Sequence, residues 1–143
     1  MANPVLATSQ SSSGSGTSLV ATFPSGLTAG DEMNMIVSWY DNATSPTLTT
    51  PSGWTSKQNA FSNFVGLAML TKTATAGDVS DGSVTLTFST GSGGRYSFVS
   101  RITGSALGSE IAGTEIDSGD DTTSPSHTTA ITPVTAESLV IMA

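Results

Sequence analysis

The chain contains no cysteine. Disulfides, thiolate metal centres and a thiol nucleophile are therefore excluded. Basic residues are scarce: Lys and Arg total 4 against 11 Asp and Glu, giving a formal charge of −7. Nucleic acid is not an expected partner, because phosphate contacts need clustered Lys and Arg. An anionic membrane surface is disfavoured for the same reason. No apolar run approaches the roughly 18 residues that a membrane-spanning helix needs. The opening Met1-Ala2-Asn3-Pro4-Val5 lacks the basic stretch and apolar core of a secretory signal, so the chain is expected to stay where it is made. Small secreted domains more often carry disulfides. A protein made in a cytoplasm and then required to survive outside it fits this composition. Good helix formers are sparse, and no long window shows apolar residues spaced by three and four.

What the chain does have is Ser and Thr, together about a third of it, with 15 Gly and 6 Pro. High Thr with scattered Gly and Pro favours β structure. A chain of 143 residues is expected to form one domain with a real core.

The organising stretch is Asp31 to Trp39. Met33, Met35, Val37 and Trp39 share one face under a period of two, and Glu32, Asn34, Ile36 and Ser38 share the other. This predicts a central strand with one buried and one mostly wet face. Around it, Val5–Thr8 reads as a short first strand. Ser9–Thr17 is low-complexity and linker-like: either a flexible loop, or a joint that makes residues 1–17 an N-terminal arm and linker. Ser18–Phe23 alternates with Leu19, Ala21 and Phe23 inward. Thr47–Thr50 is an extended piece in a long connection, and Trp54 is expected to pack over the end of the core. Ser56–Asn63 is polar and reads as a loop. Phe64–Lys72 is apolar on both faces and should lie inside the sheet. Ala76-Gly77-Asp78 repeats Ala29-Gly30-Asp31 as a turn signal. Val84–Phe88 and Tyr96–Thr103, joined by the glycine-rich Gly91–Gly94, are predicted to pair as a hairpin, with Tyr96, Phe98 and Ile102 on one face. Residues 104–126 are weakly patterned, with Ile111 and Ile116 as isolated anchors; His127–Ile131 and Leu139–Met142 read as strands. A strand finishing at the very end of the sequence is expected either to take a partner from elsewhere or to belong to a chain that naturally continues. About eight short strands separated by Gly, Pro and Ser turns predict an all-β, antiparallel sandwich, with a jelly-roll or related Greek-key winding.

Chemistry-bearing constellations are weak. His127 is the only histidine, with Ser124, Ser126, Asp120 and Asp121 near it in sequence. Catalytic triads are assembled from separate elements, so this proximity does not identify one. Asp117-Ser118-Gly119-Asp120-Asp121 is the densest acidic cluster, and Asp78 with Asp81 a weaker one. Neither has the spacing of a helix-loop-helix calcium site. Glu32 and Glu137 are the only acids near the ends of apolar strands, so paired carboxylates for glycoside hydrolysis are not supported. Trp39, Tyr40, Trp54 and Tyr96 would form an aromatic sugar platform only if their rings are exposed. No catalytic, cofactor-binding or metal-binding residue is assigned, and no enzyme activity is expected.

The run Phe23-Pro24-Ser25-Gly26-Leu27-Thr28-Ala29-Gly30-Asp31 leads into an apolar strand. Pro51-Ser52-Gly53-Trp54 is followed by a strand ending Leu70-Thr71-Lys72-Thr73-Ala74, and Ser124-Pro125-Ser126 by Ala136-Glu137-Ser138-Leu139-Val140. In this order the segments resemble bacteriophage jelly-roll structural proteins of the head-decoration, head-fibre and tail-fibre kind. The resemblance covers most of residues 18–142 and carries no catalytic residues. It implies a virion protein assembled in the host cytoplasm, contacting a major capsid protein or fibre and tail subunits, and forming a homo-oligomer, with a trimer favoured. The alternative it leaves open is a carbohydrate-binding or host-recognition module with a bound glycan.

Overall fold

A computed structural model describes residues 5–103 except 63 and 92. The expected strands at His127–Ile131 and Leu139–Met142 lie outside the described residues, as do Ile111 and Ile116. The elements are β1 (Val5–Ser15), β2 (Ser18–Thr22), β3 (Glu32–Tyr40), β4 (Leu48–Thr49), β5 (Thr55–Ser62), β6 (Val65–Thr73), α1 (Ala76–Asp81), β7 (Ser83–Phe88) and β8 (Gly94–Thr103).

The strands form a 5-stranded sheet of order β1-β8-β3-β6-β5 and a 3-stranded sheet of order β2-β7-β4. Every pairing is antiparallel. The chain passes back and forth between the sheets, and among the described residues only β5 and β6 form a hairpin of successive strands. The protein is therefore an all-β, two-sheet sandwich, as its alternation predicted.

β3 lies in the middle of the larger sheet, between β8 and β6. Met33, Met35 and Val37 are fully buried and Trp39 nearly so. They face Leu19 and Ala21 of β2, and Leu86 and Phe88 of β7, in one core with Leu48, Ala68, Leu70 and Val99. Burying each large side chain is worth about 1.5–3 kcal/mol. Trp39 ties the layers together: its ring meets Phe88 edge-on at 5.5 Å and stacks beside Phe61 at 6.4 Å. Its indole N–H donates to the Pro46 carbonyl at 3.1 Å. Trp54 is buried against Phe23, 6.3 Å between centroids, as expected for a core-capping ring.

Several expectations are corrected. Ser9–Ser15 is no linker. It continues β1, an 11-residue edge strand paired with β8 from Val5–Thr103 to Ser15–Gly94, with one register irregularity between Leu6 and Thr8. Ser56–Ser62 belongs to β5, the opposite edge, with a register irregularity between Ser56 and Gln58. Both stretches are polar because an edge strand outside the core needs backbone partners, not apolar side chains. β7 and β8 do not pair; they sit in different sheets. The connection from β7 to β8 therefore crosses from one sheet to the other. Its Gly91 has φ 111°, and a Cβ at Gly93 would strike the Tyr40 carbonyl, so both positions need glycine. Of the three residues expected to share a face of β8, Ile102 is buried while Tyr96 and Phe98 are exposed. Glu32 and Asn34, expected wet, are only 9% and 5% exposed, because strands flank β3 on both sides. Finally, Ala76–Asp81 is a helix of 6 residues, too short to produce a periodic signal. Thr75 caps it in a capping box with Asp78, and Gly82 ends it at φ 66°.

Candidate contact surface

Sequence reasoning singled out acids, a histidine and aromatic rings. His127, Ser124, Ser126, Asp117–Asp121 and Glu137 all lie outside the described residues. The acids within them have structural partners. The loops Thr28-Ala29-Gly30-Asp31 and Thr75-Ala76-Gly77-Asp78 share one hydrogen-bond scheme. In the first, the Thr28 backbone N–H and hydroxyl donate to Asp31 Oδ2 at 2.7 and 2.8 Å. In the second, those of Thr75 donate to Asp78 Oδ2 at 2.8 and 2.7 Å. Each carboxylate also takes a cation from a neighbouring strand: Arg101 Nε at 2.7 Å for Asp31, and Lys72 Nζ at 2.7 Å for Asp78. The loops lie side by side, with the Gly30 N–H donating to the Ala74 carbonyl and the Ala74 N–H donating to that of Asp31.

Burial pushes the Asp31 carboxyl up, but hydrogen bonds from Arg101 and Thr28 and the Arg101 charge outweigh it and hold it below the ordinary carboxylate value. Burial acts likewise on Asp78, and Lys72 and Thr75 overcome it. Glu32 accepts the Thr73 hydroxyl at 2.9 Å. These carboxylates are committed to holding one end of the sandwich together. Among the described residues no group of three or more His, Cys, Asp or Glu could hold a metal ion. No described helix is long and apolar enough to cross a membrane.

The other end is held by a buried charge. Arg95 is fully buried, its guanidinium 4.7 Å from the centroid of the Phe88 ring. It donates to the carbonyls of Tyr40, Gly94 and Thr90 at 3.0, 3.1 and 3.3 Å, and Asp41 Oδ2 lies 3.7 Å from Nη2. Asp41 in turn accepts the N–H groups of Ala43 and Thr44 through Oδ1. The pair clamps two connections between the sheets.

The aromatics divide. Trp39 and Trp54 are buried, so the four rings do not assemble into a platform; Tyr40 and Tyr96 are exposed. Around these two lies the outer face of the larger sheet, where Val65 and Phe98 are also exposed. At one corner the sheet presents Tyr40 opposite Val65, with Phe64 just before it. Phe64 is 54% exposed and has φ 72°, in the left-handed region that a bulky residue rarely adopts. The Asp41 N–H donates to its carbonyl at 2.9 Å, which fixes the turn. Period-two alternation pointed to Phe98 beside Tyr96. Phe64 was expected to open the inside strand Phe64–Lys72; instead β6 begins at Val65 and Phe64 and Val65 are exposed, because the turn puts Phe64 in the left-handed region, which has no local signature in phenylalanine.

The fold and this face define a class, an antiparallel β-sandwich with an exposed aromatic sheet face. No family model, curated protein or solved structure matches the chain.

Proposed function

We propose that this protein is a non-catalytic structural component of a bacteriophage particle, a capsid-decoration or fibre subunit of jelly-roll or related Greek-key winding. It works through protein–protein contacts within a homo-oligomer or against neighbouring virion subunits. The observation that carries this reading is the corner formed by Tyr40, Phe64 and Val65. Phe64 holds a large apolar ring in solvent on a strained backbone. Strain of about 1–3 kcal/mol persists only where the surroundings enforce it, and such positions cluster at functional sites. The net negative charge keeps free copies soluble, and the exposed apolar corner offers a place for a neighbour's pocket. The order of turn and strand motifs supports the virion assignment.

The test is Phe64→Gly. Glycine accepts the left-handed backbone, so the free subunit is expected to keep its stability within about 1 kcal/mol. Its oligomerisation, followed by sedimentation, and its incorporation into particles should both be lost. Particles that carry the variant at normal stoichiometry, or purified particles that contain none of the wild-type polypeptide, would refute the proposal.

A further inference from the structure

Next to the corner of Tyr40, Phe64 and Val65, but lined by none of these three, β1, β8 and β3 form a shallow cleft of about 420 Å³ on the outer sheet face. It is lined by Ser11, Ser13, Ile36, Ser38, Tyr96 and Phe98. The register orders them in two rows across the strands. One row is Ser13, Tyr96 and Ser38; the next is Ser11, Phe98 and Ile36. Tyr96 is 55% and Phe98 39% exposed. A Cβ at Gly94, the preceding residue on the same face, would come within 3.1 Å of the Tyr96 ring. The missing side chain therefore lets the ring lie back along the sheet. The hydroxyls of Ser11, Ser13 and Ser38 have no hydrogen-bond partner among the described residues. No ionisable carboxylate, amine or guanidinium lines the cleft.

We infer that this cleft is a binding site for a neutral saccharide. A pyranose ring has an apolar C–H face and a rim of hydroxyls. The C–H face is attracted to the negative face of an aromatic ring. The rim needs groups that both donate and accept, which serine hydroxyls do. Tyr96 and Phe98 supply two such faces, one strand repeat apart, with serines beside Tyr96 on both neighbouring strands and beside Phe98 on β1. The size fits a small ligand, for which clefts of about 300–1,000 Å³ are usual. The absence of charge in the cleft selects a neutral sugar over a sialylated or sulfated one. The site does not use Phe64, so it stands independently of the proposed role in a particle.

The test is a glycan array probed with the full chain, followed by NMR titration of the aromatic resonances with neutral malto-, cello-, manno- and chito-oligosaccharides. Binding of at least one neutral glycan is expected. It should weaken at least about tenfold in Tyr96→Ala and in Phe98→Ala, and less in Ser38→Ala. Both rings are exposed, and unchanged amide spectra will confirm that the variants fold. Phe64→Gly should bind as wild type even where particle assembly fails. No glycan binding at all, binding of charged glycans only, or binding undiminished by both ring variants would overturn the inference.

Discussion

Gly66 sits opposite Trp39 across β3 and β6. A Cβ there would run into the indole, against Cε2, Cζ2 and Nε1. The largest core side chain thus lies flat over a neighbour that has none, and it holds Phe88, Phe61 and the Pro46 carbonyl in place. Gly66→Ala should cost about 1–3 kcal/mol or more, the range for an overpacked core, and blunt the near-ultraviolet circular dichroism of Trp39. A denaturation midpoint equal to wild type would show that the indole moves aside freely. Trp39 was legible in the sequence as a core residue, because it continues the Met33, Met35, Val37 alternation. The need for glycine at 66 was not, because it depends on which strand lies alongside.

Among elements, the two Thr-Ala-Gly-Asp loops show how a local motif gains meaning from its surroundings. Each carboxylate is bonded by its own threonine, which sequence spacing allows one to anticipate. Each is also bonded by a cation from a strand, Arg101 or Lys72, which spacing does not reveal. These partners leave both carboxyls more acidic in the folded than in the unfolded chain. The unfolded chain therefore takes up protons first as pH falls. The stabilisation is complete above the unfolded carboxylate value of about 4 and is lost as pH drops through the lower folded value. Urea midpoints measured across that range should fall for the wild type. The fall should be shallower for Asp31→Asn with Asp78→Asn, which starts from lower stability at neutral pH. An equally steep acid limb in the double variant would assign the acid sensitivity to other groups.

For the whole molecule, the decisive pairing is β1 with β8, which joins the first described strand to the last. Such distant pairing makes folding slow, because loop closure must precede the contacts that reward it. It also means that β1 covers an edge of β8. Deleting residues 1–15 would leave β8 with an unpaired edge bearing Tyr96 and Phe98. The expected result is a marked loss of stability and aggregation on concentration, seen by light scattering. A detachable arm predicts the opposite, a monomeric domain with an unchanged unfolding midpoint. β5, at the other edge, carries Lys57 at its register irregularity, a common device against edge-to-edge association.

That the chain forms β-strands, and which side of β2, β3 and β7 faces the core, can be read from the order of its residues. Alternation of apolar side chains is a local property, and the pleat converts it directly into sidedness. Which strands pair, that Ser9–Ser15 and Ser56–Ser62 are strands at all, and that the β7–β8 connection crosses between sheets depend on contacts between distant parts of the chain. A polar strand is held by backbone hydrogen bonds to an edge supplied from elsewhere in the chain, and that edge leaves no trace in the strand's own residues.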